Sequence, residues 1–134
     1  MNKIKLIALD LDGTLFNRNG EITPKTKAEI NRAHCQGVAT VISTGRPFNG
    51  LPFEQITDTA IEYAITTNGA AVYRIADKEL LYEITMDVEM LLPILNFILS
   101  REIHIDLYID GEGFTPIRCR ENLNRLDVPD SLRR

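Results

Sequence analysis

The chain has 134 residues, of which 44% are hydrophobic and 25% are charged, and these values are typical of one globular domain with a buried core. The net charge of -4, without a Lys/Arg cluster other than the terminal Arg133 and Arg134, argues against nucleic acid as a partner. The apolar run near the start is too short, and too soon interrupted by charge, for a signal or membrane segment, so we expect a cytoplasmic protein with no membrane partner.

The two cysteines do not indicate a metal site. Cys35 and Cys119 have no metal-ligand spacing to each other or to His34 and His104. No secretory segment precedes them, so the sequence predicts reduced thiols, with a disulfide as the alternative.

The first predicted element is a strand that ends in two carboxylates. Residues 5–9 are mostly apolar, as in a parallel strand covered on both faces, and Asp10, Asp12 and Gly13 follow directly. Ligands of open α/β sheets bind beyond the carboxyl ends of the strands. Two nearby carboxylates repel each other unless a cation or a shared proton intervenes, so the pair predicts Mg²⁺. An ordinary Asp12-Gly13 turn is the alternative, whereas a calcium loop would need Gly where Leu15 stands.

Residues 10–15, Asp-Leu-Asp-Gly-Thr-Leu, resemble the first motif of the phosphatase branch of the haloacid dehalogenase superfamily. This resemblance implies that Asp10 attacks phosphorus and becomes an aspartyl-phosphate. It implies that Asp12 protonates the leaving oxygen and then activates water. An acid at position 12 favours phosphate ester hydrolysis, because the dehalogenases and the P-type pumps of the superfamily lack it. The expected fold class is α/β with a Rossmann-like parallel-sheet core, and Asp10 and Asp12 are the expected Mg²⁺ ligands.

A βαβ unit follows the two acids. Thr23 and Pro24 suit the N-cap and first position of a helix that we predict from Pro24 to about Gln36. Gly37 supplies the stop, and residues 38–42 form a second β-branched apolar run. Strand, helix and strand in this order predict parallel pairing with a right-handed crossover.

The second strand ends in Ser-Thr-Gly-Arg-Pro, residues 43–47, at the edge where Asp10 is expected. The Thr44 hydroxyl can bond a phosphoryl oxygen, Gly45 lets the backbone approach, and the fork of Arg46 matches an oxyanion. Taken alone, the run is also a plain turn before a helix. In its place after a second strand it resembles the second motif of the Cof-type phosphatases, in which the Thr holds the phosphate and the Thr-Gly-Arg run closes the pocket.

The chain then completes the predicted core. We expect a short helix within residues 47–59, a third strand tip at residues 63–66, and a hairpin from residues 71–75 and 80–84. Asn68 follows the third strand. The Cof-type resemblance implies that Asn68 contacts substrate or orders the loop, and a plain Asn-Gly turn is the alternative.

A change of composition at Thr85 predicts a second domain, so we divide the chain into a partial core, 1–84, and a partial α/β cap, 85–134. Residues 86–100 predict a helix with Asp87 as the N-cap. Pro93 either kinks a helix that starts at Val88 or moves the start to about Leu91. Alternation over residues 103–110 predicts a strand, and residues 114–119 an antiparallel return. The segment beyond residue 120 is expected to be loosely ordered or a marginal helix.

Only the amino-terminal part of the family pattern is present. A complete member has roughly twice the length of such a domain. The third motif of the family is a Lys after the cap, but no Lys follows Lys78. Weak candidates for the acids of the fourth motif are Asp106, Asp110, Asp127 and Asp130, with solvated surface as the alternative.

Two functions remain open. The first is a Mg²⁺-dependent phosphohydrolase of small phosphorylated metabolites, either sugar phosphates or phosphorylated cofactors, present as an amino-terminal portion that alone is weakly active or inactive. The second is a non-catalytic phosphate- or metal-binding remnant that acts as an oligomeric module. The resemblance places the first strand at the centre of the complete sheet, so truncation would leave residues 4–9 as an apolar, unpaired edge. We therefore expect a homo-oligomer or a complementary fragment.

Overall fold

The computed structural model describes residues 3–101 and 103–119. It divides into two compact units, Met1–Ile84 and Thr85–Arg134, at the position where the composition changes. The elements of the first unit are β1 (Leu6–Leu9), α1 (Pro24–Cys35), β2 (Ala39–Ser43), α2 (Phe53–Ile56), β3 (Ile61–Thr66), β4 (Ala71–Arg74) and β5 (Glu79–Glu83).

The first unit contains a five-stranded mixed sheet in the order β1-β2-β3-β4-β5. Strands β1, β2 and β3 are parallel, and β4 and β5 add an antiparallel hairpin. This arrangement confirms the predicted α/β fold with a Rossmann-like parallel core. Within the described part of the chain, β1 pairs on one side only, with β2, and Leu6 and Ile7 remain 56% and 36% exposed. The predicted edge strand is therefore present.

Helix α1 forms where its end signals predict it. The Thr23 hydroxyl accepts a hydrogen bond from the Thr26 amide at 3.2 Å, which satisfies a free N–H of the first turn. Pro24 occupies the first helical position, and Gly37, with φ of 77°, takes the left-handed conformation just beyond the end. Ile30 is the buried residue of this helix. Helix α1 therefore provides the crossover between the parallel strands β1 and β2.

The core of the first unit also anchors the loops beyond the strands. Phe48, in a short 3₁₀ turn over Phe48–Gly50, stacks on Tyr73 with ring centroids 4.1 Å apart. Burial of each large apolar side chain contributes about 1.5–3 kcal/mol. The loop after β2 is therefore packed, through Phe48, into the same hydrophobic core as the strands. The cluster comprises Leu11, Leu15, Ile22, Ile30, Ile42, Phe48, Leu51, Ile56, Ile61, Ala64, Ala71 and Tyr73.

The short helix predicted within residues 47–59 is present as α2, and a 3₁₀ turn over Phe48–Gly50 precedes it. The 3₁₀ turn Phe48–Gly50 and helix α2 are separated by Leu51, whose φ and ψ of -74° and 146° are extended. Pro52 explains the break, because a residue before proline is sterically disfavoured in the helical region.

The second unit contains α3 (Val88–Leu99), β6 (Leu107–Ile109) and β7 (Glu112–Phe114). The Asp87 carboxylate accepts from the Glu89 amide at 2.7 Å, as predicted for the N-cap. The helix therefore starts at Val88 with Pro93 inside it, and the alternative start near Leu91 is wrong. Helix α3 has 12 residues, and no helix in the described ranges is long and apolar enough to cross a membrane.

The hairpin of the second unit is shorter than predicted. The strand expected over residues 103–110 covers only Leu107–Ile109, and its return is Glu112–Phe114 instead of 114–119. A two-residue turn at Asp110 and Gly111, both with positive φ, sets a register that would place Pro116 opposite Ile105. Proline has no N–H to donate, so the ladder ends there, and residues 117–119 are helical. The segment predicted to be loosely ordered, beyond residue 120, lies outside the described residues.

Candidate active site

The turn after β1 presents the first motif. The Leu15 amide donates to the Asp10 carbonyl and the Phe16 amide to the Leu11 carbonyl, both at 3.0 Å, which closes two wide turns. Gly13, with φ of 79°, supplies the left-handed residue that this turn requires. Leu11 and Leu15 are buried, whereas Asp10 and Asp12 are exposed. The two leucines therefore fix the loop while both carboxylates face outward at the end of β1.

The turn after β2 presents the second motif. The Thr44 amide donates to the Ile65 carbonyl of β3 at 2.9 Å, and its hydroxyl accepts from the Arg46 amide at 3.2 Å. Thr44 is 5% exposed. A hydroxyl that accepts one hydrogen bond still has its own proton to donate. This geometry is compatible with the predicted bond from Thr44 to a phosphoryl oxygen.

A two-bond ion pair joins the two motifs. Arg46 donates from Nε to Asp12 Oδ2 at 2.8 Å and from Nη2 to Asp12 Oδ1 at 2.7 Å. The hydrogen bonds from Arg46 hold the pKa of Asp12 below its usual range, although partial burial opposes them, and the pKa of Arg46 is raised by the same pairing. The sequence predicts the Arg46 guanidinium as a phosphate ligand. In the structure this guanidinium donates two hydrogen bonds to the Asp12 carboxylate. Phosphate binding by Arg46 stays a prediction.

Two residues that sequence reasoning missed hold the guanidinium in place. Arg46 Nη1 donates to the Gly50 carbonyl at 3.2 Å, and its guanidinium lies 5.3 Å from the centroid of the Phe16 ring. An Arg over an aromatic face gains about 0.5–1 kcal/mol at an exposed site. Phe16 lies 30 positions before Arg46 and meets it only through the fold, whereas Gly50 lies four positions after Arg46 and offers only a main-chain carbonyl, which carries no motif signal.

The loop after β3 lies against the second motif. The Thr67 amide donates to the Arg46 carbonyl at 2.9 Å, and the Asn68 amide donates to the Thr44 carbonyl at 3.2 Å. Asn68 therefore contacts the Thr44–Arg46 turn through its main chain, and a loop-ordering role stays a prediction. Substrate contact by its side chain stays a prediction.

The oxygen donors at the end of β1 suit Mg²⁺. The Asp10 carboxylate and the Asp12 main-chain carbonyl are the groups that would hold the ion, because the Asp12 carboxylate is engaged by Arg46. Over residues 3–101 and 103–119, no cluster of three or more His, Cys, Asp or Glu side chains could hold a metal. Mg²⁺ commonly retains several waters and takes only one or two carboxylates, so two protein oxygens fit its chemistry.

The weak candidates for further acids do not form a metal cluster in the described residues. Asp106 accepts from the Thr115 hydroxyl at 2.5 Å and contacts His104 Nε2 at 3.1 Å. Asp110 has φ of 50° in the hairpin turn. Asp127 and Asp130 lie outside the described residues. Cys35 is exposed and Cys119 buried, and both thiols are free.

The fold and the site together define an open α/β protein with polar groups at the ligand-binding edge of its sheet. Parallel strands β1 and β2 end at one edge of the sheet, where hydrogen bonds link Asp12, Arg46 and the buried Thr44, and where the Asp10 carboxylate is exposed. That edge is the position at which open α/β proteins bind ligands.

Comparison with known proteins then identifies the family. Residues 7–127 match the haloacid dehalogenase-like hydrolase family, and the chain belongs to it. It is 30% identical to the 5-amino-6-(5-phospho-D-ribitylamino)uracil phosphatase YwtE of Bacillus subtilis, covering 93% of this chain and 43% of that protein. It is 29% identical to the phosphatase YwpJ of the same organism, covering 90% of this chain and 42% of that protein.

A solved structure supports the same assignment. A haloacid dehalogenase-like hydrolase from B. subtilis superposes with a TM-score of 0.76 at 28% identity, covering 91% of this chain and 42% of that one. The chain therefore spans less than half the length of the curated relatives it matches.

Proposed function

We propose that this chain carries the nucleophile and the phosphate-binding turn of a Mg²⁺-dependent phosphohydrolase that acts on small phosphorylated metabolites through an aspartyl-phosphate. The observation that carries the proposal is the Asp12–Arg46 pair, since it joins the Asp10 turn to the Thr44 turn at one sheet edge. The names of the relatives support it. They are called phosphatases, and the name of one specifies a small phosphate ester.

The roles follow from the chemistry of the side chains. An Asp10 carboxylate oxygen attacks phosphorus and the ester P–O bond breaks. Because the Arg46 pair holds the pKa of Asp12 low, Asp12 first has to leave Arg46 and take a proton from solvent, and it then gives that proton to the leaving oxygen. Asp12 then takes a proton from the water that hydrolyses the aspartyl-phosphate. Thr44 donates its hydroxyl proton to a phosphoryl oxygen. When bound by Asp10 and the Asp12 carbonyl, Mg²⁺ would offset the negative charge on the phosphoryl group.

The finer assignments rest on the residues named in the sequence. The assignment to the Cof-type branch rests on four residues that follow the second and third strands: Thr44, Gly45, Arg46 and Asn68. The unit Thr85–Arg134 is proposed as part of the cap that selects the substrate. A cytoplasmic location without nucleic-acid or membrane partners rests on the sequence patterns alone. Homo-oligomerisation, or a complementary fragment, rests on the exposed edge of β1.

A panel of phosphomonoesters, with sugar phosphates and phosphorylated cofactors, tests the proposal. Phosphate release should require Mg²⁺, stop with EDTA and be absent from Asp10→Asn, with phosphatase YwpJ as a positive control for the assay. Release that is equal in wild type and Asp10→Asn would contradict the assigned nucleophile. Phosphate binding without any release would favour the non-catalytic alternative.

A further inference from the structure

We infer that the first unit has a second ligand site, at the amino ends of β2 and β3, which takes a small organic cation with N–H groups, such as an alkylammonium ion. The site lies at the opposite edge of the sheet from Asp10 and Thr44, so it does not depend on the proposed function. Thr40, which lines it, comes four residues before Thr44, and this separation is about 13 Å along an extended strand.

A cavity lies where two strands start and a helix ends. Its volume is about 230 Å³, and it is lined by His34 and Gly37 at the end of α1 and by the first residues of β2 and β3. One water molecule needs only about 10–15 Å³ of such space, so a small organic molecule fits. Val38, Ala39 and Ala60 provide apolar lining for the carbon part of that molecule.

The Thr40 hydroxyl is the first observation that indicates a ligand. Thr40 is 3% exposed, and within the described ranges its hydroxyl oxygen is the buried side-chain polar atom without a hydrogen-bond partner. Buried polar groups in proteins are nearly always paired, because an unpaired one destabilises the fold. Thr66, the buried threonine at the far end of β3, follows this rule, since its hydroxyl donates to the Ala71 carbonyl at 3.4 Å. Since Thr40 lines the cavity, a polar group held there would supply the partner that its hydroxyl lacks.

The strand pairing beside the cavity is the second observation. Thr40 pairs with Ile61, and Val41 pairs with Tyr63. Strand β3 therefore has one residue more than β2 at this point, and that residue is Glu62. Extra residues of this kind bend a strand and redirect a side chain, and they are frequent beside functional sites. Here the extra residue adds an acid to the lining of the cavity.

The charges around the cavity favour a cation. Among the described residues that line it, Glu62 is negative at pH 7 and none is Lys or Arg. The carboxyl-terminal end of α1 adds a partial negative charge. Tyr63 adds an aromatic ring, and aromatic rings attract cations over their faces. An ammonium group has three N–H donors, so it can bond the Thr40 hydroxyl and the Glu62 carboxylate together.

Titration with butylammonium, followed by the amide resonances of the protein, tests the site. We expect saturable shifts at Thr40, Glu62 and Tyr63, with a Kd on the order of 1 mM, and no shift at Thr44. Butanol and butyrate are the matched neutral and anionic probes, and each should bind at least about tenfold more weakly. Shifts that do not saturate, or that are equal for the three probes, would overturn the inference.

Two substitutions remove the polar groups and keep the side-chain shapes. Glu62→Gln should weaken butylammonium binding by about tenfold and Thr40→Val by about fivefold, whereas Thr40→Ser should bind it within about twofold of wild type. Glu83→Gln is the control, because Glu83 is an exposed carboxylate in β5, outside the described lining of the cavity. It should leave binding unchanged. Wild-type binding in Glu62→Gln and Thr40→Val would contradict the assigned site.

Urea unfolding of the same variants separates a ligand site from an ordinary buried threonine. Thr66→Val should lower the unfolding midpoint without butylammonium, because it removes a hydrogen bond, whereas Thr40→Val should not lower it. Saturating butylammonium should raise the midpoint of wild type and raise that of Thr40→Val by less. A loss of stability in Thr40→Val equal to that in Thr66→Val would show that the Thr40 hydroxyl has a partner within the chain, and it would overturn the inference.

Discussion

Arg46 and Asp12 lie 34 positions apart in the chain and form a paired ion bridge, with N–O distances of 2.8 and 2.7 Å. Their side chains remain 39% and 59% exposed. The bridge connects the turn after β1 to the turn after β2, and through Thr44 it reaches the loop after β3. The candidate site is thus a set of three loops joined by named hydrogen bonds.

The pair predicts a pH dependence of stability. The folded-state pKa of Asp12 lies below its ordinary value of 3.8, chiefly because Arg46 donates hydrogen bonds to it. Its contribution is therefore present above pH 3.8 and is lost as the pH falls through the folded-state pKa. Wild type should be more stable than Asp12→Asn by about 0.2–1 kcal/mol at pH 7, as is usual for exposed pairs. Urea unfolding measured at a series of pH values checks this.

A second surface pair provides the control for that measurement. Arg32 also donates two hydrogen bonds to Glu29, but within helix α1. Glu29→Gln should reduce the free energy of unfolding at pH 7 without affecting phosphate binding. A stability difference between wild type and Asp12→Asn that grows as the pH falls below 3.8 would contradict the assigned direction of the pKa shift.

The two acids should give different phenotypes. Asp10→Asn should reduce phosphatase activity by at least about a thousandfold, because an amide is not an anionic nucleophile. Asp12→Asn should still form some aspartyl-phosphate and stall at its hydrolysis. Acid-quenched mass spectrometry of the protein after exposure to a reactive phosphoester checks this, with the phosphorylated species expected in Asp12→Asn and absent in Asp10→Asn. Steady turnover by Asp10→Asn would remove the covalent mechanism.

Mg²⁺ should bind weakly in the absence of phosphate. Asp10 and the Asp12 carbonyl offer only two protein oxygens, and Mg²⁺ gives up its waters reluctantly. Titration calorimetry of wild type should show no tight stoichiometric binding, and added phosphate should strengthen it. Tight binding without phosphate would mean that this chain supplies another acid. Asp106→Asn and Asp110→Asn would then locate that acid.

The edge of β1 predicts self-association. Leu6 is 56% exposed and Ile4 is 71% exposed, and unpaired strand edges with apolar side chains favour pairing with another chain. Sedimentation velocity should show concentration-dependent oligomers for wild type. Ile4→Lys should shift them toward monomer, while Met90→Lys, at a residue 69% exposed on α3, should not.

The contrary result for the edge is equally specific. A clean monomer at high concentration, with the amides of residues 4–9 protected from hydrogen exchange, would show that the edge is covered within the chain. The strand order described above would then be wrong.

The sequence determined the elements and the ends of the strands. The helix over Pro24–Cys35, the parallel order of the first strands and the Asp87 cap follow from local rules, because caps, glycine stops and apolar runs act over a few residues. The same rules predicted that Asp10 and Thr44 would share a sheet edge. The sequence analysis predicted too long a hairpin in the second unit. Its strand register is set by the turn at Asp110, and in that register Pro116 ends the ladder.

Tertiary structure alone decided the partners. The sequence predicts that the Arg46 guanidinium binds phosphate, but the fold pairs it with Asp12 and places the Phe16 ring beside it. Gly45 is predicted to let the backbone approach a phosphate, and in the fold the Asn68 side chain lies against it, with Oδ1 2.9 Å from the position of a Cβ built on Gly45. No local pattern encodes these contacts, because each depends on how three separate loops meet at the end of one sheet. The physical reason is that hydrogen bonds and close packing act over a few ångströms, whereas the residues they join lie tens of positions apart.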